Sequence, residues 1–84
     1  MPIKSFIIYS TPTCHYCHLL QEWLTANGVA FENKDVAVDI EARKEMVQKS
    51  QQMAVPVSVI KLANGTEQVV VGFDQLHLSR LLGI

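Results

Sequence analysis

The chain has only two cysteines in 84 residues, far short of the disulfide framework that small secreted folds use to offset a thin core. It also lacks a long hydrophobic run. The apolar stretch near the start, Met1-Pro2-Ile3-Lys4-Ser5-Phe6-Ile7-Ile8, is too short for a signal peptide's apolar region, and nothing later approaches a bilayer span. Neither sign of charge dominates: seven Lys and Arg face eight Asp and Glu, for a net charge of -1. The basic residues are scattered, which leaves no footprint for nucleic acid or anionic lipid. Repeats, linkers and low-complexity stretches are missing too. These absences lead us to expect a single domain over residues 1–84. It should be a cytoplasmic monomer with no membrane or nucleic-acid partner, acting on thiols or proteins.

What is present suits a packed core: 49% of residues are hydrophobic and 18% charged. Lys4–Tyr9 reads as a buried first strand ending in the turn-forming Ser10-Thr11-Pro12-Thr13. From Cys14 to Asn27, Cys17, Leu20 and Leu24, with Leu19 and Trp23 beside them, recur at helical spacing, and Asn27-Gly28 supplies a C-terminal cap. A second strand falls within Val29–Val38. Asp39 is then an N-cap for an amphipathic helix to about Gln51, whose Ile40, Met46 and Val47 should face the core. Ala54–Ile60 is a third strand entered through Pro56, and Asn64-Gly65 is a hairpin signal that pairs Gln68–Val71 back antiparallel. Gly72 breaks that strand and Asp74 caps a last helix, with Leu76, Leu78, Leu81 and Leu82 on its apolar side and Gly83 at its end. The order is β-α-β-α-β-β-α, an α/β fold with one four-stranded mixed sheet and helices on both faces.

Cys14-His15-Tyr16-Cys17 lies where the first strand hands over to the first helix. Helical residues three apart lie at roughly 5 Å between Cα atoms, so both sulfurs share one face. Cys14 stands at the helix mouth, where unpaired amides and the positive end of the dipole favour a thiolate; Cys17, one turn inside, lacks that exposure. The asymmetry points to thiol–disulfide exchange, with Cys14 attacking a substrate disulfide and Cys17 resolving the mixed disulfide. Cys14 through His18 also satisfies the C-x-x-C-H pattern of haem attachment, against which stand the missing export signal and the strand-rich context. Zinc would use Cys14, Cys17 and His18 with the distant His77, an incomplete set beside the four matched ligands of structural sites. No metal or tightly bound cofactor is therefore expected. His15 is placed to influence the nucleophile, Tyr16 to meet a partner, and Trp23, Met46 and Met53 to pack.

Tyr9 through His18, Val55-Pro56 and Gly72-Phe73-Asp74 together resemble the glutaredoxins and their small glutaredoxin-like relatives, over nearly the whole chain. The resemblance implies a thioredoxin fold and glutathione as co-substrate. It also implies a cis bond before Pro56 that leaves the Val55 backbone free to pair with an extended thiol substrate. Phe73 and Asp74 would present helix-terminal N–H groups to the γ-glutamyl end of glutathione, and Asp74 would also cap the helix. Where dithiol members carry C-P-Y-C this chain has His15, and where they carry paired glycines it has Val71-Gly72. Thr11 stands where many members carry a lysine, a change that removes a charge-assisted hydrogen bond worth about 1.5–3 kcal/mol. A branch of glutaredoxin-like proteins is reduced instead by thioredoxin reductase and serves enzymes such as ribonucleotide reductase; this chain is also similar to that branch. A non-enzymatic metal-binding or redox-sensing module and a protomer-bridging iron–sulfur carrier are the other classes to consider.

Overall fold

Seven elements follow the chain in the expected order in the computed structural model, which describes residues 3–84: β1 (Ile3–Ser10), α1 (His15–Ala26), β2 (Glu32–Asp35), α2 (Ile40–Ser50), β3 (Val57–Leu62), β4 (Glu67–Val71) and α3 (Gln75–Leu82). The strands form one sheet in the order β2-β1-β3-β4. β1 runs parallel to β2 with Ser10 opposite Asp35, while β3 is antiparallel to both β1 and β4. Asn64-Gly65 makes the β3–β4 turn. Gly65 sits at φ 90°, where a side chain would be strained, and Asn64 Oδ1 accepts from the Thr66 amide at 2.9 Å.

Strand alternation divides the core between the two faces of the sheet. Phe6 and Ile8 of β1, Ile60 of β3 and Val70 of β4 pack under Leu20 and Leu24 of α1 and Leu78 and Leu82 of α3. On the other face Tyr9, Val57 and Val59 meet Val36 and the Ala42 and Met46 of α2. The expected mixed sheet with helices on both faces is thus the observed architecture. The caps also fall where read: Asp39 Oδ1 accepts from the Ala42 amide at 3.0 Å and Asp74 Oδ1 from the His77 amide at 3.2 Å.

Several expectations are corrected. Helix α2 turns Ala42 and Met46 inward, leaving Ile40 68% exposed and Val47 at the surface. The reason is a polar clasp. Tyr9 Oη donates to Glu45 Oε2 at 3.0 Å and Lys34 Nζ donates to the same oxygen at 3.2 Å, which fixes the rotation of the helix with Glu45 over the β1–β2 edge. Met53 and Leu76, expected to pack, are exposed. Trp23 does pack, edge-on to Phe73 with ring centroids 5.8 Å apart. Cys14 is the cap preceding α1, and the third strand begins at Val57, after Pro56.

Candidate active site at the dithiol end of the sheet

Register alone brings the separated sequence segments together. Tyr9 near the end of β1 and Val71 at the end of β4 both lie opposite Val57, the first residue of β3. The segments that continue from these points, Thr11–Cys14, Val55–Pro56 and Gly72–Asp74, therefore gather at one end of the sheet. The Gly72 amide donates to the Pro56 carbonyl at 2.7 Å and joins two of these segments, while the Cys14 amide donates to the Thr11 carbonyl at 3.3 Å and closes the turn within the third. The Val55–Pro56 bond is cis, as the resemblance implies. Gly72 takes φ 82°, the left-handed turn that carries β4 into α3.

Cys14 occupies the N-cap of α1 and its Sγ accepts the Cys17 amide at 3.2 Å. A sulfur in this position replaces the usual capping oxygen, so an amide hydrogen and the positive end of the helix both face it. Cys14 is half-buried and open to an incoming disulfide; Cys17 is fully buried. Burial, reinforced by the Cys14 sulfur, pushes the Cys17 thiol up to about 12, while hydrogen bonds from the backbone of Thr11 and of Cys17 itself pull the other way. The inner thiol therefore stays protonated at neutral pH. Both cysteines are free, so this is the dithiol state.

The remaining expected site residues divide into two groups. Tyr16 is 62% exposed beside the dithiol, with the His15 ring edge-on at 5.8 Å. Val55 and Phe73 are half-buried, Pro56 is buried, and Asp74 is exposed with one carboxylate oxygen used as the α3 cap. Thr11 contributes backbone to the cysteine loop on the side facing Cys17.

Two further residues take places that the sequence reading did not give them. His18 Nε2 donates to the Pro12 carbonyl at 2.9 Å and so ties the loop before Cys14 back onto α1. Among the described residues, no three His, Cys, Asp or Glu side chains form a metal-binding group. The spacing of Cys14, Cys17 and His18 on one helical face suggests a ligand set, whereas the contact made is to the backbone of Pro12. Ser58, a lone hydroxyl in an apolar strand, is the second.

A sheet of this topology with a C-x-x-C pair capping its first helix defines a thioredoxin-fold protein with a redox-active cysteine pair. The sequence model of the Glutaredoxin family matches residues 6–62, and the chain belongs to that family. It is 36% identical over 75 residues to an uncharacterised glutaredoxin-like 8.6 kDa protein in the rubredoxin operon of Clostridium pasteurianum, spanning 89% of this chain and 93% of that one. It is 35% identical over 49 residues to glutaredoxin 3 of Escherichia coli K12, spanning 58% and 59% of the two chains. Among solved structures, a thioredoxin-like protein superposes with TM-score 0.81 at 32% identity over 98% of this chain and 99% of its own. The glutaredoxin of Archaeoglobus fulgidus superposes with TM-score 0.74 at 25% identity, over 93% and 85%. A glutaredoxin-like redox function follows from the family and the dithiol together.

Proposed function

We propose that this chain is a cytoplasmic, single-domain thiol–disulfide oxidoreductase that reduces protein disulfides or glutathione mixed disulfides through Cys14 and Cys17. The observation that carries the reading is the asymmetry of the pair. Cys14 accepts an amide at the helix mouth, whereas Cys17 has no exposed surface. Cys14 attacks a substrate disulfide sulfur, one substrate thiol leaves, and a mixed disulfide remains. Cys17 then attacks Cys14, the second substrate thiol leaves, and the protein is oxidised to a Cys14–Cys17 disulfide that a donor must reduce. Val55 and Pro56 receive the extended substrate backbone, Thr11 and Tyr16 flank it, and Phe73 and Asp74 offer helix-terminal N–H groups to a carboxylate.

Glutathione is the donor in this reading. Thr11 in the place of a cation favours a second reading, in which thioredoxin reductase supplies the electrons. Following NADPH consumption with glutathione plus glutathione reductase, and separately with thioredoxin reductase, tests the choice. Turnover with glutathione is expected; turnover only with thioredoxin reductase rejects glutathione as donor. Substrates are identified by mixing the Cys17→Ser protein with lysate and recovering what stays covalently bound to Cys14.

A further inference from the structure

Ser58 is left unexplained by packing. It interrupts the apolar run Val57-Ser58-Val59-Ile60, has no exposed surface, and its Oγ finds no hydrogen-bond partner among the described residues. The other buried serine is satisfied: Ser10 Oγ donates to Asn33 Oδ1 at 2.6 Å. Leaving a buried hydroxyl unpaired is unfavourable, so its presence in the centre of the sheet calls for a reason other than stability.

Position supplies the reason. Alternation along β3 puts Ser58 with Ile60 on the face covered by α1 and α3, and register places it between Ile8 and Val70, one row nearer the dithiol than Phe6 and Ile60. α1 runs back from the dithiol end, and its buried stripe is Cys17, Leu20 and Leu24. Cys17 is thus the stripe residue nearest that end, and Ser58, whose hydroxyl makes no bond to it in the dithiol state, is the polar strand residue at the same end of the same face. While both thiols are free, Cys14 is a partner for the Cys17 thiol. Once Cys14 is tied into a mixed disulfide that partner is lost, at the moment when Cys17 must react.

We propose that the Ser58 hydroxyl is the hydrogen-bonding partner of Cys17 in the resolving step, accepting from the waiting thiol and donating to the sulfur as its proton leaves. This rests on the Cys14/Cys17 reading above. In the step, the Cys17 sulfur bonds to the Cys14 sulfur. The bond between Cys14 and the substrate sulfur breaks with its electron pair leaving on the substrate, and the proton given up by Cys17 ends on that sulfur. The substrate is reduced, the dithiol is oxidised, and Ser58 finishes as it began.

The test is a stopped-flow reaction of reduced protein with 5,5′-dithiobis(2-nitrobenzoate), which releases one coloured thiolate when Cys14 attacks and a second when Cys17 resolves. Ser58→Ala is expected to leave the first phase within about twofold and slow the second about tenfold, while Ser58→Thr, which keeps the hydroxyl, restores it. An unchanged second phase overturns the proposal, as does equal slowing of both phases or a Ser58→Thr protein as slow as Ser58→Ala. Should Ser58→Ala fail to fold, the infrared S–H band of Cys17 in the Cys14→Ala protein reads the contact with Ser58 intact. A lowered, broadened band is expected, and a free-thiol band overturns the proposal. Absence of any second release from the unsubstituted protein instead rejects the dithiol mechanism itself.

Discussion

The two faces of the sheet are held in different ways. Under α1 and α3 the contacts are apolar and continuous, from Phe6 and Ile8 through Ile60 and Val70 to Leu20, Leu24, Leu78 and Leu82. Under α2 a smaller cluster is closed by a polar clasp, Lys34 and Tyr9 both on Glu45, with the Lys34 ammonium 5.8 Å from the centre of the Tyr9 ring. The chemistry sits on the apolar face: Cys17 is the outermost buried residue of the stripe that seats α1. Close packing there holds the helix mouth, and with it Cys14, to one position, while the clasped face tolerates apolar residues in solvent.

The largest effect expected from breaking this comparison is on the apolar face. Leu20→Ala removes a fully buried side chain and should cost about 3 kcal/mol, lowering the melting temperature by about 15 °C in calorimetry. A smaller effect comes from the inner thiol. Its ionisation lies near 8.5 in the unfolded chain and is raised to about 12 in the fold, so its contribution to stability is complete below about pH 8.5 and is lost as pH rises toward 12. Denaturant titrations should show stability falling over that alkaline window, with a shallower fall in Cys17→Ala.

On the clasped face, Tyr9→Phe should cost about 1 kcal/mol by deleting one buried hydroxyl and its bond to Glu45. Lys34, then the Tyr9 hydroxyl, hold the Glu45 carboxyl below the usual carboxylate range. That stabilisation is present above the unfolded-state value, about 4.3, and is lost as pH falls through the lower folded one. The gap in melting temperature between Tyr9→Phe and the unsubstituted protein should therefore narrow below about pH 4. Smallest of all, Ile40→Lys at an exposed position should change stability by under about 0.5 kcal/mol; a loss of 2 kcal/mol would return Ile40 to the core.

The same contrast explains what the sequence makes legible. Where burial sets the pattern, the pattern is readable. The Cys17, Leu20, Leu24 stripe, the Asn64-Gly65 turn and the Asp39 and Asp74 caps all fall where local chemistry puts them, as does the placement of the dithiol at a helix mouth. On α2, with few apolar residues, hydrophobic spacing admits more than one rotation. A hydrogen bond between residues 36 apart in sequence selects the one that buries Ala42 and exposes Ile40. Met53 and Leu76 flank the site segments Val55–Pro56 and Gly72–Asp74 in sequence, and both side chains are exposed. Joining Cys14, Pro56 and Gly72 in one site depends on strand register, which no local window contains.

The central claim, an outer thiol that reacts and an inner one that waits, is tested most directly by brief alkylation of the reduced, folded protein with iodoacetamide at neutral pH, followed by peptide mass mapping. The account predicts label on Cys14 with Cys17 unmodified until the protein is denatured. Equal labelling of the two, or label on Cys17 first, would contradict it.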